Sequence, residues 1–529
     1  MSDGYVTVAQ CVEGLPLGVF VWEMLVCAFM AWLLLGAVNE TTPLAFSFIS
    51  TEWSEAERVS LTMSSALAAG NFTAILVGGW VADKYGRLAV IRPALLATIL
   101  CGMLVQIARG YYASVATRLA LGLVSGGVLG VLPPLVAELL PARHRGFYLT
   151  VWCAGWPAGA LYSILSGCLL PTTAWRTFYS LMLIPAVVLY VCTRADMLLE
   201  SPRYLYLMER RDEGYEVLLD MYEKEQHVMP WAPETIAVTC ASPGASSQGS
   251  EPSCCGRVKR KSSKSIVLAA LAVMFFTISA AGQSFKLWMP LMVVADAADE
   301  GPLVDHPQAG FLGLALMQAP EGGLSFAQGP VAAAMLSTAR APLMLHDPNY
   351  IIIVVLSQAY FIQLVGVLGF AYMSSWAHRK QVIQWSTLAA AAFGLLTLLV
   401  AERGSVKWCG PILGLQLAAQ AGALNFLQAF TCEYFPTVSR AQAVAVANFS
   451  AQLGNFAVPM LGSLLVKRVS PAGALVFFSL LYVVGWAASL LVPLPSTRAG
   501  SEQPLTDVDR KAKSGGHGAK PEWPDYRTI

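Results

Sequence analysis

Charged residues are scarce in this chain of 529 residues. Asp, Glu, Lys and Arg together make up 13% of it, about half of the roughly 25% found in an average soluble protein. Apolar residues make up 56%. This balance excludes a soluble globular enzyme, and it excludes a disordered protein, whose composition is the reverse. The formal net charge of +1 gives no reason to expect a nucleic-acid partner.

Several chemical signatures are also missing. All six histidines lie outside the long apolar runs, so no metal centre at membrane depth is expected. No Gly-x-x-x-x-Gly-Lys-Ser/Thr loop is found, which argues against an ATP-driven pump of that type. No basic segment precedes the first apolar run, so no cleaved signal peptide is predicted. We therefore expect a protein that is not an enzyme and needs no cofactor.

Long apolar runs dominate the sequence. A bilayer span needs about 20 mostly apolar residues, and twelve runs approach this length. They predict an all-α membrane protein with twelve transmembrane helices. The predicted spans are 17–38, 58–82, 89–109, 113–137, 147–169, 175–196, 265–294, 350–373, 381–400, 408–430, 441–466 and 471–492.

The charges between the spans set the expected orientation. Basic residues such as Lys84, Arg87 and Arg92 follow even-numbered spans, whereas Glu40 and Glu52 follow the first span. Basic loops remain in the cytoplasm, so both termini are predicted to be cytoplasmic and Glu40 is predicted to lie on the outer side. The plasma membrane and an intracellular vesicle membrane both remain open.

The spacing of the spans predicts the domain organisation. Residues 1–196 form a first six-helix half, and 197–264 form a cytoplasmic linker, rich in Ser, Pro and Gly toward its end. Residues 265–492 form the second half, which includes a long outer loop over 295–349. A polar, disordered cytoplasmic tail follows over 493–529.

An internal repeat relates the two halves. The pattern Glu-x-x-Pro-x-x-x-Arg occurs from Glu138 to Arg145 and again from Glu433 to Arg440, 295 residues later. Arg87 and Arg379 follow equivalent spans at an offset of 292. Two matches at nearly one offset indicate a duplicated six-helix unit with both copies in the same orientation. Parallel repeats of this kind enclose a central site in many transporters.

Three motifs carry a resemblance to a known family. Residues Gly79 to Arg87 resemble the Gly-x-x-x-Asp-x-x-Gly-Arg signature of the major facilitator superfamily, and the fourth span opens with a similar pattern at Arg118. The stretch 200–205 resembles a box found in its sugar porters and organic ion transporters. The chain looks closest to the synaptic-vesicle-related and organic ion branch. The second-half copy of the signature has decayed, since only Arg379 and Lys380 remain.

The resemblance implies a charged network that closes the cytoplasmic side in one state. Asp83 would accept hydrogen bonds at the start of the eleventh span, near Arg440, and the charge pairs would break when that side opens. Static surface charge is the competing interpretation. The candidate gating residues are Gly79, Asp83, Gly86, Arg87, Arg118, Glu138, Arg145, Glu200, Arg203, Arg379, Glu433 and Arg440.

Polar residues inside spans are the candidates for a solute or proton site, because buried charge is costly and usually functional. Glu23 is predicted to couple protons or to balance a cationic solute, or else to be a structural partner. Lys286 would attract an anion, pair with Glu23 or reach the outer interface. Amides and aromatics that could line a cavity, or join helices, are Gln416, Gln420, Gln428, Trp156, Gln358 and Tyr360.

Together these features predict a monomeric transporter that moves a small organic solute across a lipid bilayer by alternating access. The cavity would lie between the two halves. Protons are an open second partner, and organic ions are the solutes that the resemblance favours. The alternative is a transport-inactive membrane protein that uses the same fold as a receptor, a sensor or a vesicle component.

Overall fold

The computed structural model describes residues 6–16, 18–49, 56–169, 175–237, 255–299, 348–374, 377–403, 406–435 and 437–492. Helices occupy nearly all of this part of the chain. Because a bilayer offers no water to the backbone, each spanning segment must satisfy its own peptide groups, which an α-helix does. The predicted outer loop and tail fall mostly outside the described residues, so those predictions remain open.

The first half begins with a two-residue strand and a short helix. Helices then occupy all six predicted span positions, two of them as broken pairs. The elements are β1 (Val6–Thr7), α1 (Val8–Glu13), α2 (Val19–Ile49), α3 (Ala56–Tyr85), α4 (Leu88–Leu104), α5 (Tyr111–Leu139), α6 (Ala142–Val151) with α7 (Gly155–Leu169), and α8 (Trp175–Leu181) with α9 (Ile184–Arg194).

The linker and the second half follow. The linker holds α10 (Pro202–Leu207), α11 (Arg211–Lys224) and β2 (Ile236–Ala237). The second half again has a helix at each predicted position, namely α12 (Cys255–Asp299), α13 (Pro348–Met373), α14 (Arg379–Glu402), α15 (Val406–Tyr434), α16 (Thr437–Arg468) and α17 (Pro471–Leu491). Within the described residues, nine helices are long and apolar enough to cross a membrane, and α4 is a shorter apolar helix.

Glycines allow the closest helix contact of the first half. Gly122, Gly126 and Gly130 recur every four residues on α5 and face α3. A Cβ on Gly122 would collide with the Leu67 carbonyl, and one on Gly126 would lie 2.6 Å from the Asn71 carbonyl oxygen. Small residues at this spacing let two backbones approach in a membrane. These three glycines therefore set how closely α3 and α5 pack.

The linker packs against one end of the helical bundle, which we call the linker end; α3 begins at the opposite, far end. β1 pairs in parallel with β2, Val6 opposite Ile236. The Tyr222 hydroxyl donates to the Cys11 carbonyl at 2.8 Å. Burial raises the pKa of the Cys11 thiol to about 11, so this thiol remains neutral at ordinary pH and packs as an apolar side chain.

The first membrane helix extends beyond the span predicted for it. The first span was predicted to end at residue 38, with Glu40 on the outer side. Helix α2 instead continues to Ile49, and Glu40 is 2% exposed inside the bundle. Hydropathy alone ends the span before Asn39, because it does not register the partners that other helices supply to a buried acid.

Candidate functional site

A buried ion pair joins the two halves of the bundle. The Lys286 ammonium on α12 donates to Glu40 Oε1 on α2. The two residues are 6% and 2% exposed. Breaking such a pair by removing one partner leaves an uncompensated charge, at a cost of about 3–5 kcal/mol. The pair therefore ties together α2 and α12, the first spans of their respective halves.

Two further donors complete the surroundings of the Glu40 carboxylate. The Trp156 indole Nε1 on α7 donates to Oε1 at 2.9 Å, and the Tyr360 hydroxyl on α13 donates to Oε2 at 2.6 Å. Hydrogen bonds to an ionised carboxylate are short and strong. Four helices, two from each half, thus converge on one carboxylate. We call Glu40, Trp156, Lys286 and Tyr360 the central cluster.

The two residues of the ion pair lie at nearly equivalent positions of the internal repeat. Glu40 and Lys286 are 246 residues apart, and the spans that carry them were predicted to start at 17 and 265. The acid of one half and the base of the other therefore occupy nearly equivalent positions in the duplicated unit. Equivalent positions in two such repeats face each other across the central axis, which explains why the two side chains meet.

A cavity adjoins the central cluster. It is a small recess that is partly open to solvent. Both halves contribute to its wall, and five of the lining side chains carry an amide or a hydroxyl. The lining residues are Asn39, Ser64, Leu67, Ala68, Trp156, Gln283, Gln452 and Asn455. Concave sites with a few convergent polar groups are the usual place for a small ligand.

Hydrogen bonds hold the first-half wall of this cavity in place. Asn71 Nδ2 on α3 donates to Asn39 Oδ1 at 3.0 Å, and the Ser125 hydroxyl on α5 donates to Asn71 Oδ1 at 3.2 Å. Arg118 Nη2 donates to Thr41 Oγ1 at 3.3 Å. Arg118 therefore supports the residue that follows Glu40, within the first half. Its predicted gating role remains untested.

Glu23 lies elsewhere. Its carboxylate accepts a hydrogen bond from Lys224 Nζ of α11 at 2.8 Å, and both side chains are less than a third exposed. Lys224 also donates to the Asp196 carbonyl at 2.7 Å. The pair of Glu23 with Lys286 that the sequence allowed is thus not formed, because each residue has another partner. The proton-coupling role predicted for Glu23 remains a prediction.

One of the predicted amides of α15 joins two helices, and none of them is among the residues that line the described cavity. Gln420 is 6% exposed, and its Nε2 donates to the Ile278 carbonyl of α12 at 3.2 Å. Gln416 is fully buried, and Gln428 is half-buried. Gln358 of α13 packs against Gly410 at the start of α15. A role for these four amides in binding solute is a prediction that the structure leaves open.

A second polar cluster lies at the linker end. Arg87 and Glu138 form an ion pair at 3.3 Å, with side chains 6% and 2% exposed. The Arg87 guanidinium also lies 4.4 Å from the Tyr204 ring. Glu200 accepts from the backbone N–H of Arg87 at 3.1 Å and of Leu88 at 2.9 Å. The Glu200 carboxylate thereby caps the N-terminus of α4, where negative charge is favourable.

The positive φ of +106° at Gly86 makes this arrangement possible. Only glycine adopts that conformation without strain. A Cβ there would also lie 2.8 Å from Glu200 Oε2. The tight turn of the signature motif thus brings the Arg87 side chain toward Glu138 and the Arg87 backbone N–H toward Glu200. The motif alone does not reveal these two partners.

The remaining gating candidates are spread along the linker end. Asp83 is half-buried at the end of α3, and Gly79, one turn earlier, faces Ala445 of α16. The guanidinium of Arg379 lies against Gly146 of α6, so this contact also joins the two halves. Arg145 donates to the Leu140 carbonyl at 3.0 Å, and Arg203 lies half-buried on α10. The side chains of Glu433 and Arg440 are not among the described ones.

Replacing Glu200 by Ala is expected to destabilise the fold by about 1–2 kcal/mol, because the first N–H groups of α4 lose their acceptor. The measurement is the shift in thermal unfolding of the purified chain. Glu213→Ala is the control, since Glu213 is half-exposed in an ion pair with Arg210 on α11. Equal shifts for the two variants would contradict the capping role of Glu200.

Known membrane proteins share this architecture. The proton:xylose symporter XylE of E. coli, a major facilitator superfamily structure, superposes with a TM-score of 0.56 at 16% identity, covering 90% of this chain and 96% of XylE. A family profile described as "Sugar (and other) transporter" matches residues 19–279. The chain therefore has the major facilitator fold. The predicted fold of twelve membrane helices in two parallel halves agrees with this likeness.

Sequence relatives of this chain are named as transporters. Organic cation/carnitine transporter 7 of Arabidopsis thaliana is 28% identical over 41% of this chain and 44% of its own length. The niacin transporter NiaP of Acinetobacter baylyi is 26% identical over 43% of this chain and 51% of its own length. The matching region therefore spans about half the length of these relatives. The apolar helices indicate a multi-pass membrane protein.

Proposed function

We propose that this protein carries a small organic solute across a membrane by alternating access, and that the solute binds between the two halves beside the central cluster. The observation that carries this proposal is a cavity lined by both halves next to a buried ion pair that joins them. In such a place a bound solute would contact both halves at once. A ligand changes a conformational equilibrium only through such state-dependent contacts.

The linker end supports the same proposal. There the halves are in contact through Gly79 with Ala445 and through Arg379 with Gly146. Phe72 of α3 packs edge-on against Phe449 and Phe456 of α16, with ring centroids 5.6 and 5.7 Å apart. Phe72 follows the cavity residue Ala68 by one turn toward the linker end. Release of a solute toward that end would require these contacts to separate.

The charged cluster at the linker end would then influence this step. Arg87, Glu138 and Glu200 hold α4, α5 and the linker together, and Asp83 is half-buried near this cluster at the end of α3. An interaction with α16 that exists in only one state biases the equilibrium toward that state. The supporting observation is that α3 meets α16 at Gly79, one helical turn from Asp83.

Uptake into liposomes reconstituted with the purified protein tests the proposal. The panel comprises organic cations, organic carboxylates, sugars and amino acids, each also tested in empty liposomes. Uptake of one class that saturates, and is accelerated by unlabelled solute on the opposite side, is the expected result. Absence of flux for every class would overturn the proposal and favour the transport-inactive alternative.

A further inference from the structure

The donors around Glu40 form a complete recognition site for a carboxylate. An ammonium, an indole N–H and a phenol O–H, from Lys286, Trp156 and Tyr360, all point at its two oxygens. No acceptor other than Glu40 is found for the Lys286 ammonium among the described residues. Within the site that we propose binds the solute, these donors are therefore satisfied by a side chain of the protein itself.

Charge balance limits which solute can use this site. Glu40 and Lys286 together are neutral, and a membrane interior strongly penalises an uncompensated charge. An organic cation would leave the site with one excess positive charge. A neutral sugar would leave the ion pair unused. An organic carboxylate would keep the site neutral, provided that Glu40 gives up its negative charge at the same time.

We propose that the solute is an organic carboxylate that enters together with a proton. The proton binds a carboxylate oxygen of Glu40, and the hydrogen bond from Lys286 to Glu40 breaks. The solute carboxylate then accepts hydrogen bonds from Lys286 in place of Glu40. One anion and one proton are taken up, no covalent bond other than the O–H bond forms, and the net charge of the site remains zero. This inference rests on the proposed transport function.

The surroundings of the cluster are compatible with this exchange. The adjoining cavity presents the amides of Asn39, Gln283 and Gln452 and the Trp156 ring, which suits a small solute with polar groups beyond its carboxylate. Among the described side chains, the titratable groups bonded to Glu40 are Lys286 from α12 and Tyr360 from α13. The Arg118 guanidinium of α5 donates to Thr41, the residue that follows Glu40, and lies 4.4 Å from the Tyr179 ring. On α3, the neutral Asn71 is bonded to Asn39, the residue before Glu40.

A variant that imitates protonated Glu40 separates this inference from a merely structural ion pair. Glu40→Gln removes the internal competitor for Lys286. We expect carboxylates to bind this variant about tenfold more tightly or better, a difference of about 1.4 kcal/mol, and with no dependence on pH. The parent should bind them more tightly at acidic than at neutral pH. The readout is the ligand-induced rise in thermal stability with benzoate, nicotinate and lactate, each paired with its neutral amide.

Two further variants complete the experiment. Glu40→Gln combined with Lys286→Gln keeps the site neutral but removes the ammonium, and it should lose the preference for the acid over the amide. Glu213→Gln, on the exposed face of α11, should behave as the parent does. A structural pair would give a Glu40→Gln variant that binds carboxylates no better than the parent, and this result would overturn the inference.

Flux distinguishes this inference from the proposal on which it rests. In liposomes, an inward proton gradient should drive carboxylate uptake, and a membrane potential imposed with a potassium ionophore should leave the rate unchanged. Saturable uptake of sugars or cations without carboxylates would overturn the inference and leave the transport function standing. Absence of uptake for all classes would overturn both.

Discussion

A disulfide between positions 79 and 445 is expected to stop solute flux, and its reduction is expected to restore it. A Cβ built on Gly79 lies 3.5 Å from the Ala445 Cβ, at the short end of the range of about 3.5–4.5 Å found in disulfides. The bond formed by Gly79→Cys with Ala445→Cys would join α3 of the first half to α16 of the second. If the halves separate at the linker end in each transport cycle, the bond should abolish turnover.

A matched control comes from the same half of the bundle. A Cβ on Gly127 of α5 lies 3.6 Å from the Ala94 Cβ of α4, so Gly127→Cys with Ala94→Cys can form a disulfide within the first half. Flux should survive this second bond, because it joins helices that move together. Each variant is measured after oxidation and again after a thiol reductant, with the extent of cross-linking determined by mass spectrometry. Unchanged flux in the fully cross-linked 79–445 variant would exclude separation of the halves there.

Lys286→Met is expected to destabilise the protein by about 3–5 kcal/mol, because it leaves the Glu40 carboxylate buried without its counter-charge. Adding Glu40→Gln should recover most of this loss, since the double variant buries two neutral side chains in place of an ion pair. Tyr360 and Trp156 can still donate hydrogen bonds to the amide oxygen that this substitution introduces at position 40. The measurement is the unfolding of the purified chain by heat or denaturant, carried out on the two single variants and the double variant.

The control for this prediction is a second ion pair between a lysine and a glutamate among the described residues. Lys224 and Glu23 are 2.8 Å apart with side chains 27% and 29% exposed. Water can solvate Glu23 when its partner is lost, so Lys224→Met should cost no more than about 1 kcal/mol. Similar losses for Lys224→Met and Lys286→Met would show that the central pair is not desolvated in the folded protein.

The central cluster shows why sequence reasoning found some of its members and missed one. Lys286, Trp156 and Tyr360 lie in the middle of apolar runs, where a polar or amphipathic side chain is conspicuous. Glu40 follows Asn39 and precedes Thr41 and Thr42, so the hydropathy falls and the residue was assigned to the outer side. The sequence separation of Glu40 and Lys286 is close to the separation between the predicted starts of the first and seventh spans. This similarity is the one signal that could have identified Glu40.

The sequence also does not predict which charged residues pair with each other. Glu23 was predicted to be the principal buried acid because it lies within the first span, and Lys286 was one option for its partner. The structure places about 16 residues of helix, some 25 Å at 1.5 Å per residue, between Glu23 and Glu40. A side chain cannot bridge that length, so depth along α2 decides which acid meets Lys286.

The sequence by itself indicated the order and approximate bounds of the helices that the structure describes, because bilayer thickness imposes a length on each apolar run. It also determined the duplication, because the repeated motifs lie at nearly constant offsets. Only the tertiary structure decided which polar side chains meet. Glu40 becomes the centre of a site because Trp156, Lys286 and Tyr360 arrive from three other helices, and contacts between residues 116 to 320 positions apart depend on how helices pack rather than on any local pattern.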